Sequence, residues 1–82
     1  MSFSQAVPKR YRPREVIQVL EYLGWVVVRQ RSNHVRLELP DGRNPVTVDV
    51  ARRELPNNEF GSIMRQSGLS RAQFERAAEE IL

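Results

Sequence analysis

The chain has 82 residues, no cysteine, one histidine and a formal net charge of +3, and this length corresponds to one domain with a modest core. A structural zinc site would have to be built almost entirely from carboxylates, which is not how such sites are ligated. No apolar run approaches the ~20 residues of a membrane span, and residues 1–15 lack the apolar stretch of a signal peptide. We therefore expect a cytoplasmic, metal-free domain without a cofactor.

The positive charge is concentrated in the first part of the chain. Residues 1–36 hold seven Lys or Arg against two Glu, whereas residues 37–82 hold six Arg against eight acidic residues. Nearly all the basic residues are Arg, whose planar guanidinium pairs with two phosphate oxygens at once. The imbalance favours a phosphate-bearing partner, although an ordinary Arg-rich soluble surface would give the same pattern.

The N-terminal segment shows no apolar period. Residues 1–12 are predicted to form a flexible basic tail, and Lys9 to Arg14 could instead contact phosphate or a protein partner. Pro13 suits the first turn of a helix, because its missing N–H would be unpaired there anyway. Apolar residues on one face then predict a packing helix over about 13–23. A single domain is expected over residues 13–82.

From Trp25 the pattern changes to strand. "WVVVRQ" is rich in β-branched side chains, and "HVRLEL" alternates, with Val35, Leu37 and Leu39 inward. "PDGR" is typical of a tight turn, and "VTVDV" again places alternate valines inward. Trp25 itself is interpreted as a core residue rather than a base-stacking platform. Three antiparallel strands are expected over about 25–30, 34–39 and 46–50.

The last third of the chain is helical in pattern. Asn57 or Asn58 is predicted to cap the first of two helices. Gly61 inside that helix indicates close approach of another backbone, because glycine is otherwise unfavourable there by up to ~1 kcal/mol. Ser70 and Gln73 form a capping-box pattern that predicts the start of the last helix. The two helices are expected over about 58–67 and 71–81.

This order predicts an α+β fold, α-β-β-β-α-α, with a three-stranded antiparallel sheet and helices packed on one face. The other face would be bare, polar and basic, and it would carry His34 and Arg36 from the second strand. The register of the first strand is not determined by the pattern. Two sets from that strand therefore fit the bare face: Val27 with Arg29, or Val26 with Val28.

Several segments, in their order and spacing, resemble the HicA toxin family of bacterial and archaeal toxin–antitoxin pairs. They are "PREVIQVLEYLGWVVVRQRSNHVRLELPDGR", "VTV", "ELP" and "IMRQSGLSRAQF". The resemblance covers about residues 13–74. It implies a fold similar to the double-stranded RNA-binding domain and the activity of an mRNA interferase, a small endoribonuclease held inactive by a cognate antitoxin.

The family's catalytic histidine lies in a Gly-Ser-His-His type motif between the first two strands. The matching residues here are Ser32, Asn33, His34 and Val35, so the resemblance makes His34 the catalytic residue. Ser32 replaces the usual glycine, Asn33 the usual serine and Val35 the second histidine. Asn33 tolerates left-handed backbone geometry, which would preserve the turn without glycine.

The chemistry of RNA cleavage suits this placement. Cleavage without metal needs a base for the 2′-OH proton, and histidine, with an ordinary pKa near ~6.5, is the side-chain type suited to that role. Arg29, Arg31 or Arg36 could stabilise charge on the phosphate, and with Ser32 and Asn33 they form the expected RNA-binding set. Edge arginines also prevent strand-to-strand pairing, and a lone exposed histidine can be incidental. No second titrating partner is evident, so catalysis is expected to be weak.

The resemblance implies two partners, mRNA and an acidic HicB-like antitoxin encoded nearby, and no membrane. We expect the antitoxin to cover His34 and the arginines around it, which would block the substrate and compete for the same cations. The tail at Lys9 to Arg14 is a second expected contact. The sequence does not indicate an oligomeric state.

Two other functions fit the same fold. A non-catalytic RNA-binding module would need Lys or Arg at the start of the helix after the sheet, where this chain has Asn57, Asn58 and Glu59. A protein-interaction module would use the bare sheet face, as a toxin would for its antitoxin. Cleavage of RNA in the presence of EDTA separates these alternatives from an endoribonuclease.

Overall fold

The computed structural model describes residues 10–82, which form three helices and one three-stranded sheet. In chain order the elements are α1 (Pro13–Tyr22), β1 (Val26–Arg31), β2 (His34–Glu38), β3 (Val46–Asp49), α2 (Asn57–Ser67) and α3 (Arg71–Ile81). Both strand pairs are antiparallel and β2 is central. The predicted α+β class and element order are confirmed. None of the helices within residues 10–82 has the length and apolar character to cross a membrane.

The alternation of β2 and β3 builds the inner face of the sheet. Val35 lies opposite Val48, and Leu37 lies opposite Val46. All four side chains are buried, and full burial of each contributes about 1.5–3 kcal/mol. α1 packs against β1, β3 and α3, and α2 packs against β3. The helices therefore cover the face that carries these residues, as predicted.

The core begins before the predicted domain boundary at residue 13. Tyr11 is only 4% exposed. Its ring stacks on Phe60, with ring centroids 5.6 Å apart, and meets the edge of Phe74 at 5.0 Å. The N–H of Leu55 donates to the carbonyl oxygen of Tyr11 at 2.9 Å. The predicted tail is therefore wrong at its C-terminal end, because Tyr11 closes the aromatic core; residues 1–9 of that tail lie outside the described residues.

Two expectations about α2 are wrong. Its N-cap is Pro56, which has extended backbone and no side-chain cap, so neither Asn57 nor Asn58 caps the helix; Asn57 is already its first residue. Apart from its own helix, no backbone within residues 10–82 lies within 4 Å of the place where a Cβ at Gly61 would be. A Cβ there would meet only the guanidinium of Arg65 at 3.6 Å, an ordinary contact.

Other local signals are confirmed. Ser70 and Gln73 form the capping box at the start of α3: the Gln73 N–H donates to Ser70 Oγ at 3.1 Å, and the Ser70 N–H donates to Gln73 Oε1 at 2.8 Å. Gly42 takes φ +86° in the turn between β2 and β3, where glycine is favoured. Trp25 is 6% exposed, and its Nε1 donates to the carbonyl oxygen of Asn44 at 2.9 Å. Trp25 is therefore a core residue.

Candidate active site on the open face of the sheet

A β-bulge in β1 decides which of its side chains reach the open face. Val27 lies opposite Leu37, but Arg29 lies opposite Arg36, so Val28 is an extra residue in β1. Because side chains alternate between faces with a period of two, one extra residue shifts the phase of everything that follows it. Residues before and after the bulge therefore do not share a single alternation.

The β1 residues on the open face differ from both of the sets that were predicted for it. Both Val27 with Arg29 and Val26 with Val28 assume unbroken alternation, and the bulge makes both wrong. Arg29 and Arg31 instead lie opposite outward residues of β2, which places both arginines on the same face as His34. The full set on this face is Val26, Arg29 and Arg31 from β1, His34, Arg36 and Glu38 from β2, and Thr47 and Asp49 from β3.

His34 is the first residue of β2, opposite Arg31 on one side and Asp49 on the other. Its side chain is exposed and lies between two depressions. The first, which we call the histidine depression, is lined by Arg29, Arg31, Ser32, His34, Arg36 and Thr47. The second lies toward α2 and is lined by His34, Thr47, Asp49, Leu55, Glu59, Ser62 and Ile63.

Five of the six predicted site residues thus meet in one place. The exception is Asn33, which lies in the turn between β1 and β2. Its carbonyl oxygen accepts a hydrogen bond from the Val50 N–H at 2.8 Å. Asn33 therefore holds the turn against the end of β3 rather than lining the histidine depression.

Ser32 has a strained backbone conformation in that turn. It has φ +54°, in the left-handed region, where glycine is the residue usually favoured. A residue with a side chain is disfavoured there by about 1–2 kcal/mol. The expectation that Asn33 would supply the left-handed conformation is wrong, because Ser32 supplies it.

Among residues 10–82, one of the three arginines in the depression has an acidic partner. Arg36 Nε donates to Glu38 Oε2 at 3.0 Å, in a half-exposed pair worth about 0–1 kcal/mol. Arg29 and Arg31 have no ion pair within residues 10–82, and Arg29 lies directly opposite Arg36. Like charges directly opposite each other destabilise a sheet, so an anion bound between them would be favoured.

The His34 imidazole is available to a substrate. Among residues 10–82 it has no hydrogen-bond partner, and neighbouring Asp49 is engaged elsewhere: its Oδ1 accepts from the Ala51 N–H at 2.9 Å, and its Oδ2 lies 3.7 Å from Arg52 Nε. No group of three or more His, Cys, Asp or Glu in this part of the chain is placed to hold a metal ion. The arrangement can exchange a proton with a bound molecule and hold a phosphate beside it.

Sequence reasoning did not single out the residues that β3 and α2 add. Thr47 and Asp49 alternate with buried valines, and that alternation was a usable signal that they face outward. Glu59 and Ser62 gave no such signal, because they reach the site only through the packing of α2 beside β3.

Fold and site together define a small α+β domain with a cationic sheet face built around one histidine. A family model described as the HicA toxin of bacterial toxin–antitoxin matches residues 13–69, which include all six predicted site residues. The chain belongs to the HicA toxin family and is thus a toxin of the toxin–antitoxin type. A comparison with curated protein sequences gave no match.

Proposed function

We propose that this chain is a metal-independent endoribonuclease that cleaves mRNA, with His34 as the catalytic residue. One observation carries the proposal: an exposed imidazole shares a depression with three arginines, two of them without an acidic partner in the described residues. A base and phosphate-binding cations at one point are what cleavage of a phosphodiester bond requires.

The reaction follows from this placement. The His34 imidazole accepts the proton of a ribose 2′-OH, and the 2′ oxygen then attacks the adjacent phosphorus. The new O2′–P bond forms as the P–O5′ bond breaks, which leaves a cyclic phosphate on one fragment and a 5′-OH on the other. Arg29 and Arg31 hold the negative charge that develops on the phosphate oxygens, a role for which one lost donor typically lowers the rate by about 10²–10³-fold.

The same geometry limits the rate. The departing 5′ oxygen must take a proton from water or from the imidazolium just formed. The residues that share the histidine depression with His34 are three arginines, a serine and a threonine, and the carboxylates of Asp49 and Glu59 on the other side of His34 are ion-paired with Arg52. We expect slow turnover, because one group has to act as both base and acid.

The experiment compares wild type with His34→Ala on a long RNA in EDTA. We expect wild type to cleave the RNA and the variant not to cleave it. Because His34 is exposed, the variant keeps its unfolding free energy to within about 0.5 kcal/mol, which separates lost chemistry from lost folding. A folded variant that still cleaves refutes the role of His34. Binding of RNA without cleavage by wild type indicates the alternative, a non-catalytic RNA-binding module.

The partner we propose is an acidic HicB-like antitoxin that covers the histidine depression. Arg29 and Arg31, which have no ion pair in the part of the chain that the structure describes, favour acidic side chains. The edge strand β1 runs beside the depression, with Val26, Val27 and Val28 each 39–49% exposed, and these would add apolar contact area. An antitoxin on this surface blocks the substrate without changing the fold.

This second proposal is tested by co-purification with the protein encoded beside the toxin, followed by hydrogen exchange. Protection of β1 and of the turn at Ser32 supports it, and association should be slower at high salt. Protection confined to the helices, with His34 still accessible, contradicts it.

A further inference from the structure

A second depression, which we call the arginine cleft, is lined by four arginines from two separate segments. Arg12 and Arg14 come from the start of α1, and Arg52 and Arg53 come from the loop after β3. All four are exposed. The sequence pattern leaves the role of Arg12 and Arg14 open, and no pattern places Arg52 or Arg53 beside them.

The cleft carries an excess of positive charge. Arg52 is paired, with Asp49 at 3.7 Å and with Glu59 at 2.6 Å, whereas Arg12, Arg14 and Arg53 have no ion pair among the described residues. Glu15 also lines the cleft, and its Oε1 accepts the backbone N–H of Arg12 at 2.9 Å. Three guanidinium groups therefore remain open to an anion, beside the positive end of the α1 dipole.

The arginine cleft adjoins the proposed active site. Val50 lines the cleft, and its N–H donates to the carbonyl oxygen of Asn33, the residue before His34. Arg52 pairs with Asp49, which lies opposite His34 in the sheet. A chain of phosphates bound at His34 can thus continue along the end of β3 into the cleft.

We propose that the arginine cleft binds the phosphodiester backbone of the RNA whose cleaved bond lies at His34. The proposal rests on the proposed function for its substrate. A phosphate backbone fits because it offers repeated anions to arginines spread over two segments, and each guanidinium binds a phosphate in a bidentate way. RNA long enough to reach from His34 to the cleft is then bound more tightly than a fragment that fills only the histidine depression.

The test measures binding in a His34→Ala background, so that RNA is not consumed. Fluorescence anisotropy is recorded with single-stranded RNA oligonucleotides of about 4 and about 16 nucleotides, the range of site sizes on compact domains, over a range of salt concentrations. The variant carries Arg12→Gln, Arg14→Gln and Arg53→Gln. The control carries Arg43→Gln, Arg65→Gln and Arg76→Gln, which removes the same charge from exposed positions elsewhere.

The expected result depends on RNA length. For the long RNA, the slope of log K against log salt becomes shallower by about 2 in the cleft variant, since each phosphate contact on a single strand contributes about 0.7. Between about 50 and about 200 mM salt, the parent protein, which carries only His34→Ala, then loses about 20-fold more affinity for the long RNA than the cleft variant does. Binding of the short RNA and of the control variant stays close to that of the parent.

Three results for the cleft variant overturn the proposal. The first is an unchanged salt slope for the long RNA, and the second is an equal loss of affinity for the short and the long RNA. The third is weaker binding of the acidic partner protein with RNA binding unchanged. These results are separable from failure of the proposed function. If wild type does not cleave RNA but the cleft still shows length-dependent binding, the proposed function fails and the cleft remains an RNA site. If cleavage occurs but the cleft variant binds normally, only this inference fails.

Discussion

Replacing Ser32 with glycine should stabilise the protein. Ser32 has φ +54° in the two-residue turn between β1 and β2, and a side chain in that region is disfavoured by about 1–2 kcal/mol. Glycine removes this strain but makes the unfolded chain more flexible, at a cost of about 0.5–1 kcal/mol. The mid-points of these two ranges give a net gain of about 0.75 kcal/mol, which corresponds to a rise of about 3–6 °C in Tm for a domain of this size.

The assay is thermal and urea unfolding of Ser32→Gly, with two controls. Ser32→Ala removes the hydroxyl but keeps the Cβ, so it should give no gain. Asn44 has a similar φ of +51°, but its Nδ2 donates to the Ser67 carbonyl oxygen at 3.1 Å; Asn44→Gly loses that bond and should not stabilise. A Ser32→Gly protein no more stable than wild type, or a gain equal to that of Ser32→Ala, would show that the backbone of Ser32 is not strained.

Three further perturbations test other parts of the account. Arg31→Ala should weaken RNA binding and make its salt slope shallower by about 0.7, with stability unchanged to within about 0.5 kcal/mol; anisotropy and urea unfolding measure both, and an unchanged slope would remove Arg31 from the phosphate contacts. Gly61→Ala should raise the unfolding free energy by about 0.5–1 kcal/mol, because the added methyl has room in the helix; destabilisation would show a close approach there after all. Burial, with the charge of Glu75, raises the pKa of Tyr11 above its ordinary 10.0. The native state then holds the phenol proton of Tyr11 more tightly than the unfolded chain does. The stability that this provides is complete below about pH 10 and is lost as pH rises through the native pKa. Wild type should therefore lose stability relative to Tyr11→Phe at alkaline pH, and parallel unfolding curves for the two proteins would contradict this.

The regular parts of the fold were accessible from the sequence because their signals are local. Val35 and Leu37 alternate with outward residues in β2, and Ser70 with Gln73 marks the start of α3 within one helical turn. Tyr11 gave no such signal. It is buried only because Phe60 and Phe74, far away in the chain, meet its ring, and no period in residues 1–12 reports that contact.

In the candidate site, too, some residues were predictable from the sequence and others were not. His34 and Arg36 follow from one contiguous motif and from the alternation of β2, whereas Arg29 and Arg31 reach the same face because of the bulge in β1. The bulge at Val28 was not predictable, because "VVVRQR" has no alternation to interrupt and every residue of β1 is exposed. The arginine cleft likewise depends on packing, since Arg14 and Arg53 line one depression only when α1 packs against β3.

The proposed reaction depends on transfer of the 2′-OH proton of the substrate RNA to the His34 imidazole. Its most direct test is chemical rescue: single-turnover cleavage of RNA in EDTA by His34→Ala, with and without free imidazole. We expect no cleavage by the variant alone. Added imidazole should restore cleavage in proportion to its concentration, at the same bonds and with the same cyclic phosphate ends as wild type. Cleavage by the variant at the wild-type rate without imidazole would contradict the proposed reaction, as would a wild type that cleaves only when Mg²⁺ is supplied.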